Sequence, residues 1–163
     1  KYPLVFLTLL ASIATFNSGC GMRPEEPVAD DETEEKQPAS SRELAKLDPG
    51  QHIQVWQMED GRIVSFALTV PETWDNDTAV PLVVSLHYGN DKITPFFGQK
   101  MMESMVVPAT RDLNPIVVAP DVVNQHWLNY RCEECLMALL YKICETYNID
   151  RTRILVIGYS VGA

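Results

Sequence analysis

The sequence predicts an α/β domain in which an antiparallel hairpin leads into parallel strands with flanking helices. Three observations carry this. Two β-rich runs, "HIQVWQM" and "GRIVSFALTV", are joined through Glu59-Asp60-Gly61, whose Asp-Gly pair is a strong hairpin signal. Three short apolar runs, "PLVVSL", "PIVVAP" and "RILVIG", follow at intervals and suit strands buried on both faces. Helical periodicity fills the gaps between them, and such alternation implies a parallel sheet covered on both sides.

Taken in order, Pro71 closes the hairpin and "ETWDNDTA" is a polar connection to "PLVVSLHYG". Helical spacing then runs from about Phe97 to Ala109 through Met101, Met102, Met105 and Val106, although Gly98 and Pro108 weaken it. "PIVVAP" ends at Pro120-Asp121. The stretch from Arg131 to Tyr147 is the clearest helix, with Cys132, Cys135/Leu136, Leu139, Ile143 and Tyr147 on one face. "RILVIG" runs straight into a sharp turn, and no internal repeat interrupts the order.

Ahead of this domain, which the sequence delimits as 49–163, lie two segments of other character. Residues 1–20 read as an export signal: Lys1, the apolar "PLVFLTLLASIATF", and then "NSGC". That run is short for a membrane-spanning helix, which needs about 20 apolar residues. Ser18-Gly19-Cys20 resembles a bacterial lipobox, so Cys20 is the expected lipid acceptor and the cell envelope the expected location, on its periplasmic or outer side. Asn17 departs from the leucine preferred in that pattern. Cleaved secretion without lipid and an uncleaved segment are the competing readings.

Residues 21–48 read as an acidic, unstructured tether. Between Gly21 and Ser40 stand seven acids and two bases, a net of −5 out of the chain's −9. With almost no large apolar residue, such a stretch cannot offset its ordering entropy. The acidity therefore says little about a substrate, and nothing basic or aromatic-interleaved points to nucleic acid. The sequence calls for no cofactor and no metal. "CEEC" has the spacing of a redox pair, or of half a metal site with His126, but Cys132, Cys135 and Cys144 fit a buried helix face as small apolar residues.

Gly158-Tyr159-Ser160-Val161-Gly162 carries the chemistry. Three fixed common residues at about 7% each recur by chance in roughly one chain in 20 of this length. Context sharpens the match, because a strand leads directly into Gly158 and small residues follow. A strained strand-to-helix turn of this kind lifts a serine hydroxyl above the sheet, and side chains at either glycine would strike neighbouring backbone. Ser160 is thus the candidate nucleophile and the Val161 N–H a candidate oxyanion donor. A second donor is expected in the loop "HYGND" after the first parallel strand, where backbone N–H groups must meet the developing negative charge. His87 reads first as a histidine of that oxyanion loop. His87, Asp121, His126 and Trp127 are also candidates to line a substrate cleft, with a solvated loop histidine the competing reading of His126.

From about Ile63 to Ala163 the chain resembles the first half of an α/β-hydrolase, most similar to esterases grouped with phospholipase/carboxylesterases, feruloyl esterases and polyhydroxyalkanoate depolymerases. The matching pieces are "VPETW", "PLVVSLHYG", "IVVAPD" and "YNIDRTRILVIGYSVGA". The resemblance implies the N-terminal part of the α/β-hydrolase fold and a serine esterase acting through an acyl-enzyme on Ser160. Where such enzymes continue His-Gly, His87 here is followed by Tyr88 and then Gly89, which leaves the second donor between Tyr88 and Gly89. In that fold the triad runs serine, acid, histidine along the chain. His52, His87 and His126 all precede Ser160. The acid and the base are therefore expected in further sequence of a longer protein, and these residues alone are expected to be inactive. A peptidase of the prolyl-oligopeptidase type keeps the same fold, and a non-catalytic surface-tethered binding protein is the reading from a different class.

Overall fold

The computed structural model describes residues 43–89, 94–122 and 127–163. Cys20, His126, the signal segment and all but the last residues of the acidic segment lie outside the described residues.

The Asp-Gly hairpin forms as the sequence predicts. Strands β1 (Gly50–Gln57) and β2 (Ile63–Val70) pair antiparallel in an unbroken register from Gly50↔Val70 to Gln57↔Ile63. Gly61 takes φ 86°, a left-handed conformation that costs a glycine little, and its N–H donates to the Met58 carbonyl at 3.0 Å.

β3 (Val80–Leu86), β4 (Ile116–Pro120) and β5 (Ile149–Gly158) complete a sheet of order β1-β2-β4-β3-β5. β2 and β4 are antiparallel, whereas β3 is parallel to both β4 and β5. All of β4 is buried, and so is β3 up to Leu86, which explains why both read as continuous apolar runs.

β5 starts at Ile149, four residues before the apolar run that announces it. Its pairing with β3 passes from Val80↔Ile149 to Leu82↔Ile154. The skipped residue on β3 is Pro81, which has no N–H for the ladder, and β5 bulges past it. Asp150 ties the bulge together, accepting from the Thr152 N–H, the Thr152 hydroxyl and Arg153 Nε. These bonds hold its carboxyl down at about 2.

The connections β3→β4 and β4→β5 run in opposite directions across the sheet, which puts their helices on opposite faces when both crossovers share a hand. Two separate core clusters match this. One face packs Val64, Phe66, Leu82 and Val84 against Cys135, Leu139 and Ile143 of α3 (Tyr130–Thr146). The other packs Ala67, Val83, Val117 and Ala119 against Met101, Met102 and Val106. Those residues lie on a composite helix: α1 (Phe97–Met101), a π-helical turn (Met102–Val106) and α2 (Val107–Thr110). The widened turn answers the objection that Pro108 raised, because a proline at that place lacks the N–H and its ring crowds the carbonyl four residues back.

α3 opens on Asn129, whose side chain accepts from the Arg131 N–H at 3.0 Å. Cys132 and Cys135 are buried on its inner face, and burial pushes the Cys135 thiol up. That is the environment of a core residue rather than of a reactive thiolate.

The sequence boundary between tether and domain, at 48/49, falls too late. Leu44 is buried at 9% exposure, the Leu47 N–H donates to the Tyr147 hydroxyl at 3.0 Å, and Lys46 Nζ sits 5.5 Å from the Trp74 ring centre. These contacts to Trp74 and Tyr147, with the buried Leu44, pin this stretch, and composition averaged over the acidic run hides them.

Candidate active site

β3 and β5 end side by side, with Leu86 paired to Gly158, so the two loops carrying the predicted chemistry leave the sheet together. The Tyr159 N–H still donates to the Leu86 carbonyl at 3.3 Å, and there the chain turns. Ser160 has φ 55° and begins a 3-10 turn, Ser160–Gly162. A left-handed conformation at a residue other than glycine costs on the order of 1–3 kcal/mol and persists only where the surroundings impose it.

The surroundings do impose it. A Cβ on Gly158 would overlap the carbonyl of Gly162, and a Cβ on Gly162 would overlap the Leu86 carbonyl. Both glycines are needed for the turn to close on itself. Ser160 is left exposed at the top of the sheet, with Val161 exposed beside it.

Gly89 meets this turn from the β3 side. A Cβ there would lie 3.0 Å from Val161 Cγ2, so the two stretches expected to supply oxyanion donors abut. Tyr88 is exposed, its ring 6.0 Å from that of Tyr159 and 5.2 Å from that of Phe97.

Three of the four residues named as cleft candidates are described, Asp121 and Trp127 half-buried and His87 buried. His87 is 1% exposed. Its Nδ1 is 2.8 Å from the Tyr88 carbonyl, and its Nε2 accepts from the Val122 N–H at 3.3 Å. A carbonyl partner requires Nδ1–H, and an N–H partner requires a lone pair on Nε2. His87 is therefore the neutral Nδ1-protonated tautomer. Trp127 is half-buried, its ring 5.0 Å from His87 and its Nε1–H donating to the His87 carbonyl at 2.8 Å.

Asp121 turns toward α1 instead. Its carboxylate accepts from the Phe96 N–H at 2.5 Å and the Gly98 N–H at 3.3 Å, capping the helix start. Burial raises its pKa, with these bonds opposing. His126, the fourth candidate, lies outside the described residues. His52 is on β1, its Nε2 2.9 Å from the Asp48 carbonyl. Both described histidines thus have partners away from Ser160.

Two supports of this site escaped the sequence reading. Phe97 packs edge-on against both His87 and Tyr88, at 5.0 and 5.2 Å. Gly98 lets α1 approach, since a Cβ there would lie 3.3 Å from Ala119 Cβ and 3.5 Å from His87 Cδ2. The signal for the second was present: a glycine in a helical stretch asks for a close neighbour.

No protein-family model and no curated protein sequence matches the chain. Solved structures do. The chain is similar to a thermostable esterase at 23% identity, covering 69% of this chain and 35% of that one with a TM-score of 0.59. It is similar to an S-formylglutathione hydrolase from Agrobacterium tumefaciens at 18% identity, covering 69% and 49%, TM-score 0.54. An arylesterase matches at 14% identity over 74% and 39%, TM-score 0.51. The chain therefore has the N-terminal part of the α/β-hydrolase fold as these esterases build it, and it spans about a third to a half of their length.

Proposed function

We propose that the chain is the nucleophile-bearing part of a serine hydrolase that cleaves carboxylic esters. The observation that carries this is Ser160 at φ 55°, locked between Gly158 and Gly162 and abutting the Gly89 loop. A serine held that way has its hydroxyl free for attack and backbone N–H groups within reach of the attacked oxygen.

In the proposed reaction Ser160 Oγ attacks the ester carbonyl while a base takes its proton. The tetrahedral oxyanion rests on the Val161 N–H and a donor of the Tyr88–Gly89 loop. Collapse releases the alcohol, which leaves with the proton, and water then hydrolyses the acyl-enzyme by the same route. Neither described histidine is the base, and no histidine follows Ser160 in these residues. Base and acid are proposed to come from a longer protein, in keeping with the greater length of the esterases the chain resembles.

The test is to treat the full-length protein with a fluorophosphonate probe and to follow p-nitrophenyl acetate hydrolysis. Labelling and turnover are expected, and Ser160→Ala abolishes both. Labelling that persists in Ser160→Ala would place the nucleophile elsewhere.

Export and a lipid on Cys20 belong to the same proposal: export rests on Lys1 and the apolar run after it, the lipid on the lipobox-like "NSGC". Metabolic labelling with a fatty-acid analogue, followed by membrane fractionation, is expected to mark the wild type and spare Cys20→Ser. Equal labelling of the two would remove the anchor.

A further inference from the structure

The loop after β3 departs from a simple His-Gly sequence by the insertion of Tyr88, and the hydrogen bonds around it determine which N–H faces the reaction. We infer that the second oxyanion donor is the Gly89 N–H, and that the His87 imidazole and the Trp127 indole N–H are the positioning groups that aim it. This rests on the serine-hydrolase reading of Ser160.

Two peptide planes carry the argument. The described chain has no cis peptide, and in a trans peptide the N–H points opposite to the preceding carbonyl. The first plane joins His87 to Tyr88. Its carbonyl lies toward the elbow, 2.8 Å from where a Cβ on Gly162 would stand, and Trp127 Nε1 donates to it at 2.8 Å. The Tyr88 N–H on that plane therefore faces away from the elbow. It cannot serve an oxyanion forming above Ser160.

The second plane joins Tyr88 to Gly89. Its carbonyl is turned inward to Nδ1–H of His87, at 2.8 Å. The Gly89 N–H is thereby turned outward from the buried ring, at the residue that abuts Val161. Glycine leaves room there, since a side chain would press on Val161. The aim of this N–H is as good as the anchoring of the carbonyl behind it. His87 anchors it firmly: the ring is buried, the Val122 N–H holds Nε2, and Phe97 and Trp127 pack against it at 5.0 Å each.

His87 does not touch substrate in this scheme, so its substitution has a distinctive signature. An asparagine amide places its Nδ2 where Nδ1 stands and can still donate to the Tyr88 carbonyl. A glutamine amide reaches instead toward Val122 and leaves that carbonyl without its donor. In the full-length protein, His87→Asn should keep kcat within about fivefold, whereas His87→Gln should lose about 100-fold, near the loss for removing an oxyanion donor. KM should stay within about threefold in both. Affinity for an aryl trifluoromethyl ketone, whose serine adduct carries an oxyanion, should fall in step with kcat. Trp127→Phe keeps the packed ring but deletes the N–H, and should lower kcat about tenfold with the same selective loss of ketone affinity.

A wild type that labels at Ser160 and hydrolyses ester, with His87→Asn and His87→Gln alike in kcat and ketone affinity, would overturn the assignment and leave the nucleophile standing. So would a Trp127→Phe variant with unaltered kcat. A wild type without Ser160-dependent labelling would bring both readings down together.

Discussion

Ser160 holds a left-handed backbone conformation that its neighbours impose, and that strain can be measured. Replacing it with alanine removes the hydroxyl but keeps the left-handed penalty. Replacing it with glycine removes the penalty as well. Ser160→Gly should therefore be more stable than Ser160→Ala by about 1 kcal/mol in reversible denaturation of the full-length protein. Equal stabilities would mean that the elbow is relaxed. Gly158→Ala should act in the opposite sense, since the new methyl meets backbone that cannot step aside. A loss of more than about 2 kcal/mol, or failure to fold, is expected.

Residues of this kind were legible in the sequence because their spacing is local, even though Gly162 also answers to the Leu86 carbonyl of another strand. A glycine two positions from a serine constrains a turn that begins and ends within five residues. The supports of the neighbouring loop were not legible. Trp127 reaches a carbonyl 40 residues away, and Asp121 accepts from the Phe96 N–H, 25 residues before it, at the start of a helix. Such partnerships are decided by which elements the sheet brings together, and so the anchoring contacts of His87 and Asp121 could not be read from the sequence.

The same contrast holds among the elements. α3 was readable because Cys132, Cys135, Leu139 and Ile143 recur at helical spacing, and all four are buried. Leu139→Ala should cost about 2–5 kcal/mol, the usual penalty for emptying a fully buried leucine site. Urea denaturation is the appropriate check, and a loss under about 1 kcal/mol would mean that the face repacks. β5 was readable only in its apolar half. Its polar start, Asp150 to Arg153, carries no strand signal and joins the sheet as a detour around Pro81.

The detour is sensitive to pH. Asp150 has a folded pKa of about 2, below the ordinary 3.8, so the folded chain binds that proton more weakly than the unfolded one. Its contribution to stability is complete above about pH 4 and disappears as pH falls toward 2. Wild type and Asp150→Asn should differ in Tm by a constant amount at higher pH and converge over that window. A difference that persisted at pH 2 would assign the effect to shape rather than charge.

In the molecule as a whole, β5 is, like β1, an edge strand among the described residues. It pairs there with β3 alone, and Ile154 to Ile157 remain half-buried on both of its faces. An apolar strand with unpaired N–H and carbonyl groups is a template for another chain. The 163-residue polypeptide prepared by itself should therefore self-associate at micromolar concentration and show no ester turnover. The full-length protein should be active and free of that association. Size-exclusion chromatography with light scattering, alongside p-nitrophenyl acetate kinetics, decides the matter. A monomeric 163-residue chain with Ser160-dependent turnover would show that the sheet needs no further strand and the serine no further base.

The docking of Leu44 and Leu47 fixes a polarity for the molecule. They bind beside Tyr147, where α3 ends and β5 begins, whereas Ser160 stands where β5 finishes. The seven residues of β3 that run alongside between those two ends span about 20 Å at the usual rise. The backbone thus enters at the foot of the sheet and the nucleophile faces the opposite pole. For a protein held to a surface through its N-terminal segment, as proposed for Cys20, the leash would be tied at the pole opposite the serine. Whichever way the domain swings on it, the point of attachment would leave the mouth of the site clear.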